Sequence, residues 1–184
     1  EIARSNRAGH TTMSKTLTVS IVIPAKNEER YLPILLYGLS KQTHKPEQII
    51  LADADSTDKT REIALKHGCI IVQGGMPGPG RNAGAQVATG DILLFLDADV
   101  QIDDPKFIEH ALEEIEEKQL DIATPDIHLV KGTWADKLGH GFYNLYVRAW
   151  GTWRPHAPGF CIFIRRSLFE KIKGFDASIL LCED

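Results

Sequence analysis

The stretch from Asp91 to Asp99 constrains this chain more than any other. Ile92, Leu93, Leu94, Phe95 and Leu96 follow one another with no polar residue between them. A strand with one wet face alternates apolar and polar residues, whereas an unbroken apolar run is covered on both faces. A chain carrying such a strand must therefore supply packing layers above and below it. The run then stops at two carboxylates, Asp97 and Asp99, with only Ala98 between them. Like charges this close raise each other's proton affinity unless a cation offsets them.

The rest of the sequence supplies those layers. Residues 18–24 (TVSIVIP), 48–53 (QIILAD), 69–72 (CIIV), 121–125 (DIATP) and 160–164 (FCIFI) read as further strands. Between them, Leu32, Leu35, Leu36 and Leu39 recur at helical spacing, with Pro33 acceptable in a first turn. Ser56 is placed to cap a helix that runs to about His67 and stops at Gly68. GGMPGPG (residues 74–80) reads as a loop and RNAGAQVAT as a short helix closed by Gly90. Pro105 opens a helix that turns Phe107, Ile108, Ala111, Leu112 and Ile115 inward. Strands separated by helices pair in parallel through right-handed crossovers, which predicts an open α/β sheet covered on both faces. Ligands of such sheets bind at the carboxyl ends of the strands, and Pro24, Asp53 and Asp97 all fall there.

Composition narrows the function classes. The 184 residues carry a net charge of −4, with no basic field to recruit nucleic acid. No apolar run has the length of a membrane span, and no signal peptide is visible. Cys69, Cys161 and Cys182 are odd in number and widely spaced, as in a reduced, intracellular protein. No Cys-x-x-Cys or His-x-x-x-His pair offers a zinc site. Residues 1–16 are expected to be a disordered leader or an expression-derived tail, and 17–184 one catalytic domain truncated at its C-terminus. A membrane anchor beyond residue 184 is compatible with this reading.

Three clusters could carry chemistry. Asp97 and Asp99 suit a hard divalent cation, Mg²⁺ or Mn²⁺, which keeps coordination positions open for substrate phosphates. A polar turn is the alternative for such residues, and Asp103 and Asp104 before Pro105 fit that use. Asp53 ends its strand where a base or ribose could offer it donors, while Asp55 and Asp58 equally suit the N-terminus of the next helix. In GGMPGPGRNAGA the glycines allow close approach to a phosphate, and Arg81 adds a permanent cation; a plain connecting loop remains the other reading. Trp134, Phe142, Tyr143, Tyr146, Trp150 and Trp153 suit an acceptor groove or core packing, His156 a loop, and Arg165 and Arg166 solvated charges.

The order of these motifs resembles the family-2 glycosyltransferases of GT-A fold. The resemblance rests on VSIVIPAKNEERYL, ILADADSTDKT, GPGRNAGAQVATGDILLFLDADV and RRSLFEKIKGFDASILLCED, and covers residues 19–184. It implies a Rossmann-like three-layer α/β/α sandwich around a mostly parallel sheet. It implies donor contacts at Pro24, Ala25, Asn27, Glu28, Asp53, Arg81, Asp97 and Ala98, and metal ligation by Asp99 with Asp97 nearer the ribose. Asp184, second residue of a terminal Glu-Asp pair, is implied as general base. Ala54 stands where the family often has an acid that reads the base, which leaves a UDP- or a GDP-sugar open as donor.

The expected activity is transfer of a sugar from a nucleotide-diphosphate donor to a glycan, lipid or small-molecule hydroxyl with inversion, in cell-envelope or polysaccharide synthesis. The expected location is the cytoplasm or the cytoplasmic face of the membrane. Two alternatives are a sugar-1-phosphate nucleotidyltransferase and a non-catalytic nucleotide-sugar-binding module. The first places a Gly-rich loop right after strand one, where this chain has AKNEERYL.

Overall fold

The computed structural model describes residues 16–75, 77–125 and 159–176. Six strands form one sheet: β1 (Val19–Ala25), β2 (Gln48–Asp53), β3 (Ile70–Gln73), β4 (Ile92–Leu96), β5 (Ile122–Ala123) and β6 (Cys161–Arg165). Among the described residues the helices are α1 (Leu32–Ser40), α2 (Thr60–Lys66), α3 (Pro77–Val87), α4 (Phe107–Glu117) and α5 (Arg166–Lys171). The spatial order is β3-β2-β1-β4-β6-β5. The first four strands are parallel, and β6 runs antiparallel to both β4 and β5. The expected three-layer sandwich with a mostly parallel sheet is the architecture found.

The unbroken apolar strands account for this order. All five residues of β4 are inaccessible, and its alternate side chains enter different cores. Ile92, Leu94 and Leu96 pack with Leu32, Leu35, Leu36 and Leu39 of α1 and with Ile108, Leu112 and Ile115 of α4. Leu93 and Phe95 pack on the other face with Ala88 beyond α3 and Phe169 of α5. The chain moves outward from β1 to β2 and β3, then returns across the sheet to β4 on the far side of β1. That reversal opens a crevice at the carboxyl ends of β1 and β4, the usual ligand position in open α/β sheets.

Two local expectations differ from the structure. Helix α3 begins at Pro77, so most of the Gly/Pro stretch is helical and not loop. Pro77 and Pro79 sit in a first turn, whose N–H groups have no intrahelical partner in any case. A Cβ on Gly84 would collide with Val22 of β1, and one on Gly80 would lie 2.7 Å from the Gly75 carbonyl. Glycine here lets the helix lie against the sheet. Ser56 does not cap α2: its hydroxyl accepts the Asn27 N–H, and Asp58 takes the Thr60 N–H at the helix start.

Candidate active site

Three strand ends build the site. Ala25 and Asp53 are register partners at the ends of β1 and β2, and Asp97 follows β4. Pro24 lies against Gly80 at the start of α3.

The loops after β1 and β2 are zipped together. Asn27, held at a left-handed φ of 58°, accepts the Thr57 N–H on its side-chain oxygen at 2.8 Å. Glu28 N–H donates to the Thr60 hydroxyl at 2.7 Å, and Glu29 N–H to Asp58 Oδ2 at 3.0 Å. The Glu29 carboxylate returns a bond from the Lys59 N–H. Burial pulls the Asp58 carboxyl up, but bonds from the Thr60 hydroxyl, Thr60 N–H and Glu29 N–H outweigh it and leave Asp58 below its ordinary value.

Asp53 is fully buried beneath these loops. Its Oδ2 pairs with Arg61 Nη1 at 2.8 Å and accepts the Ser56 N–H at 3.3 Å. Its Oδ1 has no hydrogen-bond partner among the described residues. A buried acceptor left open in this way is costly unless something fills it, and a nucleoside hydroxyl or ring N–H has the right chemistry.

At the tip of β4 the arrangement changes. Arg81, on α3, bonds Asp97 Oδ1 at 2.6 Å and the Gly159 carbonyl at 2.9 Å through the same nitrogen. Its guanidinium also lies 5.6 Å from the centre of the Phe175 ring. The neighbouring Asn82 takes the Phe175 N–H on its amide oxygen and donates to the Phe175 carbonyl. One turn of α3 thus grips the chain just before β6 and just after α5. Asp99 is exposed, while Ala98 between the two acids is buried and offers the site only its backbone.

The charges at the tip remain under-compensated. Burial raises the Asp97 carboxyl, Arg81 opposes that, and Asp99 adds to it; the net shift is upward. Glu28 is raised as well, first by burial and then by Asp99, Asp58 and Asp97. No three His, Cys, Asp or Glu side chains among the described residues form a metal cage of their own. A donor set of one free and one Arg-paired carboxylate, with a third acid facing them electrostatically, still fits a Mg²⁺- or Mn²⁺-type cation. Such an ion takes one or two carboxylates and completes its shell with phosphates and water. Asp99 would be the first ligand and the second oxygen of Asp97 the next.

Arg165 and Arg166 are not simply solvated: their Nε groups donate to the Leu120 and Gly90 carbonyls, at the amino end of β4 and away from the site. A cation at a helix N-terminus opposes the helix dipole, so Arg166 at the head of α5 was a signal that a carbonyl partner existed. Within the site, the partners of that turn of α3, Gly159 and Phe175, carried no such signal. Asp184, His156 and the six candidate acceptor aromatics lie outside the described residues.

Comparisons with known proteins agree with this geometry. The profile of glycosyl transferase family 2 matches residues 20–173. A 4,4'-diaponeurosporenoate glycosyltransferase of Staphylococcus haemolyticus is 40% identical over 118 residues, covering 59% of this chain and 29% of that protein. An undecaprenyl-phosphate 4-deoxy-4-formamido-L-arabinose transferase of Pectobacterium carotovorum is 35% identical, covering 50% of this chain and 33% of its own length. The chain thus spans about a third of these curated relatives. A mannosyltransferase of Pyrobaculum calidifontis, solved with GDP-Man and Mn²⁺, superposes with a TM-score of 0.71 at 18% identity, over 89% of this chain and 48% of that one. TarS 1-349 of S. aureus gives 0.69 at 21%, over 91% and 52%. At these identities the solved structures establish the fold.

Proposed function

The chain belongs to glycosyl transferase family 2, and on that premise we propose that residues 17–184 form a catalytic domain moving a sugar from a nucleoside-diphosphate donor to an acceptor hydroxyl. The observation that carries the proposal is the tip of β4. There exposed Asp99 stands beside an Arg-paired Asp97, at the sheet's topological switch point and with net excess negative charge. A divalent ion bound there supplies Lewis-acid stabilisation of the departing diphosphate.

The chain's own groups do the rest. The zipped loops hold Glu28 and the backbone of Pro24 and Ala25 against the nucleoside, and the free Asp53 Oδ1 accepts one of its donors. Arg81, already shared among Asp97, Gly159 and the Phe175 ring, lends positive potential to the phosphates. Asp184 takes the proton of the acceptor hydroxyl as its oxygen bonds the anomeric carbon. The carbon–phosphate-oxygen bond breaks on the opposite side, and the configuration inverts.

Solved relatives carry GDP-Man with Mn²⁺, or UDP with Mn²⁺ in a glucosyl-3-phosphoglycerate synthase of Mycobacterium tuberculosis. These support a UDP- or GDP-sugar here. The acceptor class is a glycan, lipid or small molecule of the cell envelope, and the reading places the protein in the cytoplasm or at its membrane face. Among the described residues no helix is long and apolar enough to cross a membrane.

A thermal-shift panel of UDP- and GDP-sugars with and without Mn²⁺ tests the proposal. The metal-dependent shift should vanish in Asp99→Ala and persist in Asp184→Ala. Undiminished binding by Asp99→Ala would refute the site.

A further inference from the structure

Arg81 meets Asp97 through one nitrogen only. Guanidinium–carboxylate pairs frequently join by two parallel bonds, which engage both carboxylate oxygens. Here Nη2 alone serves Asp97 Oδ1 at 2.6 Å and the Gly159 carbonyl at 2.9 Å. Among the described residues Nη1 makes no hydrogen bond, and Nε is buried without a partner. With the side chain only 11% exposed, water does little to solvate the charge.

A ring holds the guanidinium in that pose. Arg81 Cζ lies 5.6 Å from the centre of the Phe175 ring, close enough for the aromatic face to attract the cation. Phe175 is itself fixed from several sides. Its ring meets Phe95 edge to face at 5.1 Å and Phe169 at 5.6 Å. Its backbone N–H donates to the Asn82 amide oxygen at 2.9 Å, and its carbonyl accepts from the Asn82 nitrogen at 2.8 Å. Gly174 before it has a left-handed φ of 80°, and a Cβ there would lie 2.5 Å from the same Asn82 oxygen. A glycine, an amide and two further rings thus seat one phenylalanine beside one arginine.

We propose that Phe175 is a positioning residue of the donor site: its ring holds Arg81 end-on to Asp97, so that Asp97 Oδ2 stays open for the divalent ion and Arg81 Nη1 for the diphosphate. Without the ring the guanidinium turns and closes a two-bond pair on Asp97, which engages both groups. The inference rests on the donor reading above and is independent of the acceptor and of the general base.

Titration calorimetry on the 184-residue chain tests it, with UDP and GDP as probes in the presence of Mn²⁺. Wild type should bind at least one of them; binding of neither would overturn the donor reading and this inference together. Phe175→Leu keeps an apolar side chain but removes the aromatic face, and should bind the same nucleotide on the order of tenfold more weakly. Phe175→Tyr should bind as wild type does. Asn82→Ala frees the Phe175 backbone and should weaken binding in the same direction, which keeps the test open if Phe175→Leu folds poorly. Phe107→Leu, in the core on the other face of the sheet, should lower the melting temperature and leave affinity unchanged. A double-variant cycle decides the route: once Arg81→Lys is in place, adding Phe175→Leu should weaken binding no further. Unchanged affinity in both Phe175→Leu and Asn82→Ala, or losses that add in the double variant, would overturn the inference and leave the donor reading standing.

Discussion

The loops after β1 and β2 and the tip after β4 both follow buried strands with acids, yet they treat the charge in opposite ways. In the loops Asp58 takes three donors and Glu29 a backbone N–H, and Asp58 sits below its ordinary proton affinity. At the tip one guanidinium serves Asp97 and a carbonyl, and Asp97 and the Glu28 that faces it from the β1 loop sit above theirs. Satisfied carboxylates hold structure together, whereas unsatisfied ones are stabilised only by something that arrives. The same residue type therefore reads as scaffold in one place and as binding site a few ångströms away.

Substitutions can break or sharpen that contrast. Arg81→Ala should cost the most, about 3 kcal/mol in a denaturant melt, because it strips the partner from a half-buried Asp97 and frees the Gly159 carbonyl. Asn27→Ala should cost about 2 kcal/mol by losing the Thr57 bond and straining a left-handed residue; Asn27→Gly should recover the backbone share. Asp58→Ala should cost about 1 kcal/mol as a lost helix-start acceptor.

The pH dependence sharpens this third case. A carboxyl held below its ordinary value stabilises above that value and loses the effect as pH falls through the folded one. The gap between wild type and Asp58→Ala should therefore be full near neutrality and close in acid. Asp99→Asn should have the smallest effect on stability and the opposite sign. Glu28 and Asp97, held above their ordinary value, favour the fold only while protonated, and that contribution is lost as pH rises through their folded values. Removing Asp99 relieves them, so the variant should equal or slightly exceed wild type at neutral pH and match it in acid. A neutral-pH loss in Asp99→Asn larger than that in Asp58→Ala would erase the distinction.

How much of this was legible depended on what kind of force set each feature. The parallel strands β1, β2 and β4 could be read because burial on both faces leaves an unbroken apolar signature. The direction of β6 could not, since FCIFI has the same pattern whichever way it runs. The start of α3 was hidden because Gly and Pro argue for loop locally, while close packing on Val22 and Gly75 demands those residues in a helix. The acidic tip was legible as an oddity of charge, and the family resemblance gave it a use. Asn27 was implied as a donor contact, yet its amide oxygen is engaged with Thr57, a bond between loops thirty residues apart that no local spacing announces. The Arg81 hub was half legible: its charge was visible, and its carbonyl and ring partners were not.

The grip of α3 on both flanks of the β6–α5 unit has an evolutionary consequence. Arg81 ties Gly159 ahead of β6 and Asn82 ties Phe175 behind α5, so a single turn of α3 clamps the antiparallel strand and its helix onto the parallel half of the sheet. Drift elsewhere along α3 leaves that strand and helix in place beside Asp97 as long as this one turn is kept.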